Sequence, residues 1–270
     1  GSQGKFGEKY VLLGRLGKGS SAQVLSVQAS TADQELAVKV VDLRGPGEPS
    51  DSDGVDQRLQ QRVEKEVAIM RRVSEHPSCV QISEYFAEGH LGFIVMEKCD
   101  LSLPQALERF PCLKEATFTR IFAEILEALR CVHQLGIVHR DVKPMNFLCN
   151  GGRATVKLCD FGVSEVMPAD GPLLKDVCGT SAFMSPEMLS GEGYDTQTDL
   201  WSLGVMSYLL LLGCLPYQPE RREGGARRAS GAMKDAIAKG VPEPSFAPSA
   251  ESGISGAISQ DAVDFLRALL

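Results

Sequence analysis

His139-Arg140-Asp141-Val142-Lys143-Pro144-Met145-Asn146 and, a short way on, Asp160-Phe161-Gly162 bring two carboxylates, an amide and an ammonium into one brief span of chain. Between them, Phe147-Leu148-Cys149 and the stretch 154–159 flank Asn150-Gly151, the pattern of two short apolar strands joined by a tight turn. Antiparallel pairing of those strands predicts Asn146 and Asp160 side by side at the open end of a hairpin. An amide oxygen beside a carboxylate, with no Cys or His ligand spacing nearby, suits magnesium, a hard cation that keeps part of its water and is shared with phosphates. A metal-bound nucleotide is the natural guest. Asp141 then stands where it can orient or deprotonate an attacking hydroxyl, and Lys143 where it can neutralise charge on a moving phosphoryl group.

Taken together, in this order and spacing, the two motifs match the catalytic loop and metal-binding motif of eukaryotic protein kinases, and the chain resembles that family along nearly its whole length. In appearance it is nearest to the calcium/calmodulin-dependent (calcium-dependent) group. The resemblance implies an α+β, bilobal protein-kinase-like fold: a small antiparallel β-sheet lobe with one helix, and a larger, mainly helical lobe. The expected divisions are an N-terminal tail at 1–9, beginning with a Gly1-Ser2 cleavage scar, a small lobe at 10–96, a hinge at 97–100 and a large lobe at 101–270. It implies ATP and Mg2+ as cofactors and protein substrates with serine or threonine acceptors. Two rivals share the motifs, a nucleotide-binding pseudokinase and a small-molecule kinase. The first is disfavoured because every charged group the chemistry requires is present. The second is disfavoured by Gly179-Thr180 and Ser185-Pro186-Glu187, a ledge suited to a polypeptide.

Leu16-Gly17-Lys18-Gly19-Ser20-Ser21-Ala22-Gln23-Val24 lies between strand-like runs at 10–16 and 24–29. A loop between two strands covers phosphates in the manner of kinases, whereas a dinucleotide fold or a Walker loop runs from strand into helix. Its glycines let backbone N–H groups approach anionic oxygens; Ala22 replaces the third glycine of the family pattern. Downstream, 36–41 is an apolar strand interrupted by Lys39, which needs a buried partner. Within the helical run 57–74, Glu66 shares the face of Val63 and Met70, while Glu64 faces Gln60, Ala68 and Arg71, so Glu66 is the predicted partner. By resemblance this pair aligns the nucleotide phosphates. The stretches 79–87 and 91–96 read as strands that complete the small sheet. By resemblance, backbone groups of Glu97 and Cys99 contact adenine, Met96 guards the pocket behind it, and Val24, Ala37 and Leu148 wall the purine.

Helical spacing from 115 to 135 places Phe118, Ile121, Phe122, Ile125, Leu126, Leu129 and Val132 on a core stripe. The segment from Asp160 to Glu187 resembles an activation loop closed by a variant Ala-Pro-Glu motif, with Ser185 for alanine. Where many kinases carry a phosphate that pairs with the catalytic-loop arginine, Lys175-Asp176-Val177 stands, so Asp176 is expected to give Arg140 a permanent, weaker negative charge. Lys143 with Thr180 favours serine or threonine acceptors. Met145 stands where arginine-directed kinases place glutamate. By resemblance, Asp199 caps its helix and binds the catalytic-loop backbone. The basic stretch 221–230 is expected as a solvated loop, although Arg227-Arg228-Ala229-Ser230 would suit an arginine-directed kinase acting on this protein. The arginine that usually pairs with Glu187 is expected beyond Leu270, along with any regulatory segments.

With 270 residues, 43% of them apolar, the chain can bury a large core or two smaller ones. A net charge of -7 argues against nucleic acid as the main partner. The longest apolar run, 203–215, carries Ser207 and Gly213 and is too short for a membrane span. Eight scattered cysteines without paired spacing, and no secretory signal, point to a reducing, cytoplasmic or nuclear setting.

Overall fold

β-branched and other apolar residues alternating with polar ones between Tyr10 and Asp42 form three antiparallel strands, β1 (Tyr10–Lys18), β2 (Ala22–Ala29) and β3 (Glu35–Asp42). In the computed structural model, which describes residues 4–18, 22–45, 54–109, 115–150, 155–167, 171–218, 226–247 and 258–270, they join β4 (Ile82–Glu88) and β5 (Leu91–Glu97) in one sheet of order β1-β2-β3-β5-β4. This sheet belongs to the first of two compact units, Gly1–Asp100; the second is Leu101–Leu270.

Period-two alternation gives the small sheet two different faces. Leu36 and Val38, with Val27 and Val95, pack beneath Phe6, Tyr10 and Phe86. The opposite face carries Val24, Ala37, Lys39 and Met96, since Val24 pairs with Lys39 and Ala37 with Met96. α2 (Gln57–Val73) starts at Asp56, whose side chain accepts from the Arg58 amide, and buries Val63, Val67, Met70 and Val73 with a single carboxylate, Glu66, among them.

Two expectations about this unit need correction. Residues 1–9 are not merely a tail: Phe6–Lys9 forms a short helix, α1, and Phe6 is buried, stacked on Phe93 at a centroid distance of 4.3 Å. Within 10–96 the described residues carry one helix, α2, as expected for that lobe. The strand expected from Cys79 begins at Ile82. Cys79 and Val80 are fully buried, but the Cys79 amide turns back to the His76 carbonyl. Apolar character there signals burial: Cys79 makes an isolated β-bridge and does not extend the strand.

The second unit opens with β6 (Leu101–Ser102) and α3 (Leu103–Glu108), followed by α4 (Glu115–Gln134) and β7 (Ile137–Val138). α4 buries Phe118, Ile121, Phe122, Ile125, Leu129 and Val132 as its spacing predicts, whereas Leu126 faces outward, 37% exposed. A 3-10 turn at Pro144–Asn146 leads into β8 (Phe147–Asn150), which pairs with β9 (Thr155–Leu158). The predicted Asn150-Gly151 turn between them lies outside the described residues from Gly151 on. Next come β10 (Glu165–Val166), paired with β7, and α5 (Pro186–Ser190), α6 (Gln197–Leu212), α7 (Ala226–Lys239) and α8 (Gln260–Leu269).

α6 is apolar all round because it is packed on nearly every side. Gly204 lets α8 lie against it: a Cβ at 204 would stand 2.7 Å from the Cβ of Leu269. The predicted loop at 221–230 is helical from Ala226 onward, anchored further along by Ala236 and Ile237 against Tyr217; residues 221–225 lie outside the described part. No described helix is long and apolar enough to cross a membrane.

The ledge before α5 is built on hydroxyls. Ser185 is fully buried, its Oγ accepts from the Met188 amide at 3.3 Å and shares a hydrogen bond with Thr198 Oγ1 at 2.7 Å. Ser202 Oγ donates to the Phe183 carbonyl at 2.6 Å. Serine in place of alanine is therefore a cap, and Ser185→Ala is expected to lower stability by about 1–2 kcal/mol, read as a shift in the urea midpoint.

Candidate functional site

In the first unit, Lys39 Nζ meets Glu66 Oε1 at 2.7 Å, with only 17% and 6% of the two side chains exposed. The pairing chosen from helical faces is the one found, since α2 turns its one inward carboxylate toward the inward lysine of β3. Taking away either partner would break a charge pair from which water is largely excluded. Of the predicted nucleotide-binding residues, Val24, Ala37 and Met96 share the face of Lys39. Leu16 lies on β1, half exposed, and Gly17 pairs with Val24 across the hairpin. The connection is thus strand to strand; Gly19, Ser20, Ser21 and the Lys18 side chain lie outside the described part. Ala22 opens β2 opposite Val41. The Glu97 amide donates to the Gln81 carbonyl at 2.9 Å, so any adenine contact by this residue falls to its own carbonyl. Cys99 is a half-buried thiol.

In the second unit, the loop after β7 is gripped from below by Asp199. Its Oδ2 accepts from the His139 amide and from His133 Nε2, and its Oδ1 from the Arg140 amide, each at 2.8 Å. Asp199 is fully buried. It is not the helix cap: Thr196 holds that position, and the Asp195 side chain accepts from the Gln197 amide. The binding of Asp199 to the loop backbone is as the resemblance implied. His139 is a spacer. Its Nδ1 accepts from the Asp141 amide at 3.3 Å, so the proton sits on Nε2, which faces the Cys159 carbonyl at 3.0 Å. Phe161 packs edge-on against the ring at 5.2 Å.

Above this base, Asp141 collects donors. Oδ1 receives the Thr180 amide at 2.9 Å and Thr180 Oγ1 at 2.8 Å; Oδ2 receives Lys143 Nζ at 2.6 Å and Asn146 Nδ2 at 3.2 Å. Lys143 Nζ also donates to Thr180 Oγ1 at 2.8 Å. Gly179 makes this possible: its φ is +91°, and a Cβ there would sit 2.3 Å from the Arg140 carbonyl oxygen. Met145 is exposed beside the cluster, and Leu148 lies on β8 opposite Lys157.

Asn146 and Asp160 flank the first pair of the β8–β9 hairpin, and the Cys159 amide donates to the Asn146 carbonyl at 2.9 Å. The Asn146 side-chain nitrogen is committed to Asp141, at 2.8 Å to the main-chain oxygen, which leaves its oxygen as the end that can face a cation. Asp160 is exposed. No group of three or more His, Cys, Asp or Glu among the described residues could hold a metal ion. Two oxygen donors fit a hydrated magnesium completed by phosphates, and not a structural zinc.

Arg140, with φ +67°, points the other way. Nε donates to the Val163 carbonyl at 2.6 Å, Nη1 donates to the Tyr194 hydroxyl at 3.2 Å, and Nη2 stands 3.6 Å from Glu165. Burial pulls this guanidinium down, but the Tyr194 hydrogen bond and the negative groups around it outweigh that and raise it. The expected partner Asp176 reaches it only at 4.0 Å, and its side chain is 88% exposed, a geometry worth little. Glu165 is the nearer carboxylate. Sequence reasoning missed Glu165, Tyr194 and His133, which no local pattern announces.

A carboxylate, an ammonium and a threonine thus converge at Asp141, with the Asn146 amide bonded to the same carboxylate. The chain belongs to the protein kinase domain family, whose model matches residues 10–270. It is 31% identical over 256 residues to ribosomal protein S6 kinase alpha-6 of Mus musculus, covering 89% of this chain and 31% of that protein. It is also 35% identical over 212 residues to CBL-interacting serine/threonine-protein kinase 7 of Arabidopsis thaliana, covering 77% and 47%, and 36% identical over 242 residues to a putative CBL-interacting protein kinase 13 of Oryza sativa subsp. japonica, covering 84% and 45%. The chain thus spans less than half the length of these relatives.

Proposed function

We propose that this chain transfers the γ-phosphoryl group of magnesium ATP to serine or threonine hydroxyls of protein substrates. The convergence of Lys143 and Thr180 on Asp141 carries the reading: it fixes a carboxylate where an acceptor hydroxyl can be oriented and a cation where phosphoryl charge develops. Asn146 and Asp160 would hold magnesium, which when bound neutralises phosphate charge. Lys39, held by Glu66, would align the phosphates, and the hairpin from Leu16 to Ala22 would cover them. Glu97 and Cys99 would meet adenine through their backbone, with Val24, Ala37 and Leu148 as walls and Met96 at the rear. The serine/threonine preference is supported by Lys143 with Thr180 and by the similarity to a serine/threonine-protein kinase of Arabidopsis thaliana. A reducing compartment is supported by the scattered spacing of the eight cysteines, without any C-x-x-C pair.

Incubation with labelled ATP, magnesium and a randomised peptide library tests this. Label should appear on serine or threonine and fall by about a hundredfold or more in Asp160→Asn. Nucleotide binding with no labelling would leave a nucleotide-dependent binding module instead.

A further inference from the structure

The contacts of Arg140 show what orders the stretch that ends in Thr180. The Tyr194 hydroxyl accepts from Arg140 Nη1 at 3.2 Å and donates to the Asp176 carbonyl at 2.6 Å. The Tyr194 main chain exchanges two hydrogen bonds with Leu174, each 2.9 Å. Its ring is buried, 2% exposed, in a cluster with Met184 and Met188 and with Leu174 packed against it. A hydroxyl that accepts from a guanidinium and donates to a carbonyl has both capacities used, and each bond polarises the other. The Asp176 carboxylate, by contrast, is largely exposed and stands 4.0 Å from Arg140 Nη1.

We propose that Tyr194 is a positioning residue for phosphoryl transfer: through Arg140 and the main chain of Leu174 and Asp176, it ties the 171–180 segment to the catalytic loop without an added phosphate. The proposal rests on the phosphotransfer reading above and concerns how that site is kept ready. Tension on the segment passes through Cys178 and Gly179 to Thr180, whose amide and hydroxyl both end on Asp141. Untethered at Asp176, Thr180 loses its fixed approach and Asp141 its orientation. Burial pushes the Cys178 thiol up, while Arg140 and a hydrogen bond with the Tyr194 side chain act in the opposite direction.

The test compares Tyr194→Phe and Asp176→Asn with the unmodified chain, all shown by mass spectrometry to carry no phosphate on 171–180. Phenylalanine keeps the ring among the methionines and removes only the hydroxyl. Expected for Tyr194→Phe are a kcat about tenfold lower, a KM for ATP within about twofold, and roughly tenfold faster amide hydrogen exchange in 171–178. Asp176→Asn should stay within about twofold in all three. A Tyr194→Phe variant with more than half the kcat and unchanged exchange would overturn the proposal. So would an Asp176→Asn variant that falls as far as Tyr194→Phe, since the carboxylate and not the hydroxyl would then hold the segment. If the unmodified chain labels no peptide, the phosphotransfer reading itself fails, and the exchange rates alone decide whether the tether exists.

Discussion

Asp141→Asn is expected to lower kcat for peptide phosphorylation by about 10³-fold while leaving the KM for ATP within about threefold. The amide is nearly isosteric, so folding is not at issue; its donors are. In whichever orientation it settles, the new NH2 group faces a donor: Lys143 Nζ, now at 2.6 Å from Oδ2, or the Thr180 amide and hydroxyl, now at 2.9 and 2.8 Å from Oδ1. One arm of the cluster must swing away, and no carboxylate remains to take the acceptor proton. Steady-state kinetics decide the matter. A loss smaller than about tenfold would remove Asp141 from the role of base or orienter.

A different kind of failure is expected from Asp199→Asn. Three donors, the amides of His139 and Arg140 and the ring N–H of His133, converge on two oxygens of a fully buried carboxylate. An amide side chain has one acceptor oxygen and two hydrogens to place, so at least one main-chain N–H loses its partner and meets another donor. The cost should be about 3–5 kcal/mol, seen as a fall in thermal midpoint on the order of 10 °C. Activity measured well below that midpoint should also fall, since the amides released belong to the loop carrying Asp141. A variant that melts like the parent would show that Asp199 only fills space.

The fold was readable wherever a residue's role follows from its neighbours in sequence. Alternation gave the strands of the small sheet, and the face on which Glu66 falls gave its partner before any contact was known. The pairing of the strands that join Asn146 to Asp160 was readable because a hairpin's register is local. Residues whose partners lie far along the chain were harder. Tyr194 and Glu165 meet Arg140 across 54 and 25 positions of sequence (194 − 140 and 165 − 140), and neither carries a pattern that says so. Asp176 was chosen for nearness along the chain to a familiar site, but exposure decides how much a charge is worth. Leu126 was counted with the core of α4 because periodicity reports a face and not its edges. The helical start at Ala226 was hidden by the Gly224-Gly225 pair before it, which reads as a loop.

Among the described residues, two that bear side chains have left-handed backbone, Arg140 at φ +67° and Asp160 at φ +61°. Arginine has no means of easing that conformation by itself, whereas the short polar side chains of aspartate and asparagine tolerate it. The clasp of Asp199 on the Arg140 amide therefore holds a wound spring, one that relaxes in the direction of disengaging the loop. At Asp160 the same torsion makes asparagine the clean probe: it deletes the charge and keeps the bend, while alanine would confound lost ligation with an unwinding backbone.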